Sequence, residues 1–143
     1  VPEEDYEIPL GQAKVVREGK DITVVAWGAM LHEAKLACEQ AAEAGIDCEL
    51  IDPRTLMPFD LDTVAESVKK TGRFVVVHEA PKTCGFGAEI ISMVMERAFY
   101  HLEAQPLRIT GFDTPFPYTL ENEYLPLAPR ILAGLRHVAA EVA

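Results

Sequence analysis

Residues 73–89 read RFVVVHEAPKTCGFGAE. Phe74 to Val77 form a short apolar run, the pattern of a strand buried on both faces of a parallel sheet. His78 and Glu79 end that run with two groups that are costly to bury. Pro81, Gly85 and Gly87 follow as turn residues. Beyond them Ala88, Ile91, Val94, Met95, Ala98, Phe99 and Leu102 recur at helical spacing. The stretch predicts a strand, a polar glycine-containing loop and a long amphipathic helix. In an open α/β sheet, ligands and partners meet the carboxyl ends of the strands, where this reading puts His78.

Similar units lie on either side. Residues 21–28, DITVVAWG, predict a strand after a turn at Gly19, Lys20 and Asp21. Met30, Leu31, Ala34, Ala37, Cys38, Ala41 and Ala42 form a helical stripe that Gly45 terminates. Ile46 to Ile51 reads as the next strand. Asp60 is placed to cap a helix, with Phe59 and Val64 as a hydrophobic staple and Gly72 as the stop. Lys69 and Lys70 fall in its last turn, where the helix dipole favours cations. Pro106 to Phe112 is a fifth strand, and Ile131, Leu132, Leu135, Val138, Ala139 and Val142 mark a final helix. Alternating strands and helices imply a mostly parallel five-stranded sheet covered on both faces, a three-layer α/β/α sandwich. Ala13 to Glu18 fits an antiparallel edge strand. Residues 1–12 read as an acidic lead-in linker and residues 13–143 as one domain. Because the chain begins with Val1, it reads as a fragment or a processed product.

The chain has 143 residues, 49% of them hydrophobic and 25% charged, and a net charge of −10. A chain of this size buries roughly 70% of its unfolded surface. The acidity argues against nucleic acid and anionic membrane as partners and favours a basic protein surface, or else serves solubility. Cys38, Cys48 and Cys84 lack metal-ligand and CxxC spacing, which suits a reducing compartment. Cys38 and Cys48 fit the core as small apolar residues.

Several groups invite chemical readings. Gly85-Phe86-Gly87 opens a helix and its N–H groups can face an anion, but Ile90 stands where GxGxxG requires a third glycine. A tight strand-to-helix turn is the simpler reading. With His78 and Glu79, this loop carries the alternative of a small-ligand or anion-binding regulatory module. Cys84, just ahead of the helix, has the position of an activated thiol if His78 converges on it. Asp52, Arg54 and Asp60 form either a ligand clamp or a loop tie. His32, His101 and His137 have no metal-site spacing. Residues 113–129, DTPFPYTLENEYLPLAP, read as an extended surface segment. Its aromatics Phe116, Tyr118 and Tyr124 either form an interface core with an acidic rim or fold back over the sheet.

Three stretches point to a family: IDPRTLMPFD, VKKTGRFVVVHEAPKTCGFGAEI and RITGFDTPFPYTLENEYLP. Together they resemble the C-terminal, transketolase-type domain of the β subunit of thiamine-diphosphate-dependent 2-oxo acid dehydrogenases, with the branched-chain type nearest and the pyruvate type next. The resemblance implies an α2β2 decarboxylase feeding acyl groups to a lipoyl acyltransferase. It implies thiamine diphosphate and magnesium in the intact enzyme, held by other domains, and no cofactor contact or catalytic residue here. It assigns this domain to assembly: contacts with the α subunit, a second β subunit and the subunit-binding domain of the acyltransferase. By matching DTPFPY it nominates Asp113, Phe116, Pro117 and Tyr118 as interface residues. It places His78, Glu79, Gly85 and Gly87 on a loop near a subunit boundary. Cys84 stands where many relatives have glycine, against a catalytic thiol. The expected location is the cytoplasm, or alternatively the mitochondrial matrix.

Overall fold

In the structure, a computed structural model describing residues 3–141, five strands pair in one sheet. β1 (Lys14–Arg17), β2 (Ile22–Ala26), β3 (Cys48–Asp52), β4 (Phe74–Pro81) and β5 (Leu107–Gly111) lie in the order β1-β3-β2-β4-β5. β1 runs antiparallel to β3, and every other pairing is parallel. The expected three-layer α/β/α sandwich with an antiparallel edge strand is therefore the observed fold.

The apolar strands are covered on both faces. On one face α1 (Ala29–Glu43) and α5 (Ala128–Ala140) pack Ala34, Ala37, Cys38, Ile131 and Leu135 against Val24, Leu50, Val75 and Val77. On the other, α2 (Leu61–Thr71) and α3 (Phe86–Ala98) pack Val64, Val68, Ile90 and Val94 against Val25, Ile51, Phe74 and Val76. The strand residues divide by alternation, because successive side chains point to opposite faces. Cys38 and Cys48 are both in the core.

The predicted helix signals take the expected forms. Asp60 Oδ1 accepts from the Thr63 amide at 3.1 Å, and Gly72 ends α2 in the left-handed conformation at φ 69°. Lys70 in the last turn of α2 pairs with the buried Glu49 carboxylate. Arg54 is exposed and donates to the carbonyls of Gln12 and Ala13, so Asp52, Arg54 and Asp60 tie the lead-in to the sheet.

Three expectations need correction. β4 does not stop at His78 but continues to Pro81, and His78 is only 2% exposed. The helix stripe is shifted: Gly87, Ile90, Val94 and Ala98 are its buried residues, and α3 ends at Ala98. A single 3₁₀ turn at Phe99–His101 then leaves Phe99 exposed. Contact of Gly87 with His78 sets the rotation of this helix, which periodicity among apolar residues alone does not see. Residues 113–129 are not extended throughout: α4 (Glu121–Tyr124) forms there, and Tyr124, Pro126 and Ala128 are buried. Val1, Pro2, Val142 and Ala143 lie outside the described residues.

β2 and α2 share a buried hydroxyl cluster, in which Thr23 Oγ1 lies 2.6 Å from Ser67 Oγ and 2.8 Å from Thr71 Oγ1. Thr23→Val keeps the shape and removes the shared partner. Stability is expected to fall by about 1–3 kcal/mol, the cost of stranding buried hydroxyls, as read by urea unfolding.

Candidate functional site

From β2 the chain crosses to β3 on one side, and from β3 it returns past β2 to β4. The connections leaving β2 and β4 thus diverge at their carboxyl ends, the position where open α/β sheets form a crevice. Trp27 follows β2 there, and His78 stands beside it on β4. Their rings stack with centroids 5.4 Å apart at 21°. Phe86, at the start of α3, meets Trp27 edge-on, and Phe59 meets Phe86 edge-on.

The glycine loop is shaped around the imidazole. A Cβ on Gly87 would lie 2.6 Å from His78 Nε2, and one on Gly85 would lie 2.6 Å from His78 Cε1 and collide with the Pro81 carbonyl. Both glycines therefore serve close approach, since any side chain would displace the ring. Gly85 itself has ordinary extended backbone, φ −71°, so conformational freedom is not the reason for it. Neither ring nitrogen of His78 has a hydrogen-bond partner. Burial holds the imidazole below its ordinary pKa, and the charge of Arg108 adds to that effect.

Beyond His78 the loop is tied to the segment after β5. Asp113 accepts from the Thr83 amide at 2.8 Å and from the Thr83 hydroxyl at 2.7 Å. These two bonds hold its carboxyl below the usual range. Arg108 on β5 donates to the Lys82 carbonyl at 2.9 Å. Arg130 donates to the carbonyls of Tyr124 and Thr110 and lies over the Phe112 ring at 4.3 Å. The two candidate stretches, the loop after His78 and the DTPFPY segment, therefore form one continuous surface.

A cleft of about 560 Å³ opens where they join, lined by Glu79, Ala80, Pro81, Thr114, Phe116, Glu121, Tyr124 and Leu125. Around it Phe116 is 54% exposed, Tyr118 91% and Leu120 58%. Pro117 is half-buried. Tyr124 behaves differently from its neighbours: it is buried, and its ring meets Phe112 and Phe116 edge-on. The segment's aromatics therefore divide, Tyr124 folding back over the sheet while Phe116 and Tyr118 face outward.

Cys84 is exposed and takes the left-handed backbone at φ 59°. His32, His101 and His137 are exposed. Among the described residues no group of three or more His, Cys, Asp or Glu side chains is placed to hold a metal ion. The reading from sequence missed Trp27, Thr83 and Arg130. Trp27 had a signal, a large aromatic at a strand's carboxyl end just before a glycine. Thr83 and Arg130 had none, because the bonds to Asp113 and to the Thr110 carbonyl join residues far apart in the chain.

These features define a three-layer α/β domain whose carboxyl-end surface combines exposed aromatics with carboxylates. Residues 11–131 match the family "Transketolase, C-terminal domain", and the chain belongs to that family. It is 57% identical over 127 residues to "2-oxoisovalerate dehydrogenase subunit beta, mitochondrial" of Dictyostelium discoideum, covering 88% of this chain and 34% of that protein. It is 50% identical over 140 residues to "Pyruvate dehydrogenase E1 component subunit beta" of Acholeplasma laidlawii, covering 97% of this chain and 43% of that one. Among solved structures it matches "Split gene transketolase, inactive beta4 tetramer" with TM-score 0.83 and 26% identity, covering 97% of this chain and 45% of that one. The chain thus spans about a third to under half of the length of these relatives.

The family raises the question of thiamine diphosphate. A diphosphate group needs open space and a positive field. At the glycine loop the space is filled by the His78 ring, and Glu79 and Glu121 line the adjoining cleft. The glycine loop and the adjoining cleft do not fit that group, and no step is defined through it there.

Gly87→Ala is expected to destabilise the protein by about 1–3 kcal/mol, as overpacking does. In a His78→Ala background the penalty shrinks, and a double-mutant cycle read by chemical denaturation measures the coupling. Cys84→Gly relieves left-handed backbone and is expected to raise stability by up to about 1 kcal/mol. The rise in thermal midpoint checks it.

Proposed function

We propose that this chain is the assembly and partner-docking domain of the β subunit of a 2-oxo acid dehydrogenase. One observation carries the reading: the exposed aromatics Phe116 and Tyr118 stand beside an apolar cleft with carboxylate walls, on loops latched together through Asp113 and Thr83. Exposed aromatics on a braced surface lose little entropy on docking and form the centre of protein interfaces. Glu79, Glu121 and the net charge of −10 favour a basic partner surface. Asp113 contributes from within, by holding the loop, and its partners are spent on Thr83.

In this reading the intact enzyme is an α2β2 heterotetramer that decarboxylates a 2-oxo acid and passes the acyl group to a lipoyl acyltransferase. The surface here meets the α subunit, the second β subunit or the acyltransferase's small subunit-binding domain. Thiamine diphosphate and magnesium belong to the other domains. Branched-chain 2-oxo acids are the first choice of substrate and pyruvate the second, an order that follows the 57% and 50% identities. Cytoplasm is the first location and the mitochondrial matrix the alternative. Among the described residues no helix is long and apolar enough to cross a membrane.

Phe116→Asp and Tyr118→Asp are expected to weaken association with the partner subunits by roughly tenfold or more while circular dichroism stays unchanged. Sedimentation of the intact polypeptide co-expressed with its α-type partner reads this. Unchanged assembly in both variants removes the docking role of this surface. Comparing kcat/KM of the assembled enzyme for 2-oxoisovalerate and pyruvate decides the substrate.

A further inference from the structure

His78 is sealed at the junction where β4 passes into the latched loop. The Trp27 ring covers it, α3 presses Gly85 and Gly87 against it, and neither nitrogen has a partner. A neutral imidazole tolerates such a site, whereas an imidazolium needs an acceptor or water. The charged group that acts on it from β5 is Arg108, which repels a second cation. Trp27 after β2, Gly85 just before α3 and Gly87 in its first turn bring no charge. On its own strand Glu79 is exposed and makes no bond to it, and the Ala80 carbonyl is the nearby acceptor.

We propose that His78 is an acid-sensitive lock on the surface formed by residues 79–86 and 112–125. Protonation puts a charge on the sealed ring beside Arg108 and makes both nitrogens donors, of which the Ala80 carbonyl is placed to take only one. The ring reaches water only if the glycine turn lifts away from β4. Lifting the turn breaks the Thr83–Asp113 bonds and dismantles the cleft wall made by Glu79, Ala80 and Pro81. The sign follows from linkage. A histidine held neutral by the closed loop favours closure at pH values above its free pKa of about 6.5, and that contribution is lost as pH falls below it. Acidification therefore loosens this face while the sheet interior persists. The consequence for partners rests on the docking reading. The opening itself does not, and it is measured without a partner.

Hydrogen exchange in the intact polypeptide tests the lock between pH 7.5 and pH 5, with intrinsic exchange rates corrected. Protection of the amides at residues 79–86 is expected to fall by roughly tenfold, with that of Ile22–Ala26 unchanged. In His78→Gln the loop's protection becomes independent of pH. A second readout needs no variant: NMR titration of the His78 ring protons in the native protein follows the same midpoint as the loop. Loop protection that stays constant while His78 titrates overturns the proposal. So does a fall that persists unchanged in His78→Gln. Weaker subunit association at pH 5, lost in His78→Gln, joins the lock to docking. Association that ignores pH while the loop opens leaves the lock standing and removes this face from the interface.

Discussion

Helix α3 lies against the end of β4 at a distance that only missing side chains permit. Cβ atoms on Gly85 and Gly87 would each stand 2.6 Å from the imidazole of His78, too close for any side chain. That contact fixes the rotation of α3, hence which of its residues join the core, and it pins the start of the loop that follows β4. Through the loop it positions Thr83 for Asp113, and through Asp113 the segment that carries Phe116 and Tyr118. A substitution at either glycine acts on this whole chain of contacts.

The surface that joins the loop after β4 to the segment after β5 is held together by internal bonds. Most of its ionisable groups are committed to internal bonds or open to water, and His78 is the exception. Asp113 is committed to Thr83, Arg108 to the Lys82 carbonyl, and Arg130 to two carbonyls and a ring face. Cys84 is exposed in strained backbone, and His78 is covered by Trp27. What the surface offers outward is shape, apolar area and negative charge, the ingredients of recognition.

The layers of the fold were legible because they follow from local pattern. Val75, Val76 and Val77 alternate between two packed faces, and Asp60 and Gly72 bracket a helix with side-chain and backbone signals that act within a few residues. The candidate site was legible only in part. His78, Gly85 and Gly87 were noticed as residues, but as a loop open to an anion or a boundary. Their mutual contact is a matter of Å-scale packing that spacing does not encode. The burial of Tyr124 and the exposure of Phe116, a few residues apart in one proline-rich stretch, were likewise indistinguishable by composition.

The sequence by itself determined the α/β alternation, the covered parallel sheet, the antiparallel edge and the family, because periodicity, caps and turn residues are local and repeat along the chain. Only the tertiary structure decided that the loop after β4 and the segment after β5 share one surface, that His78 is sealed without a partner, and that Phe116 and Tyr118 face outward. Those outcomes depend on contacts between residues some thirty positions apart, and such contacts exist only once the sheet has set its register and brought the carboxyl ends of β4 and β5 side by side.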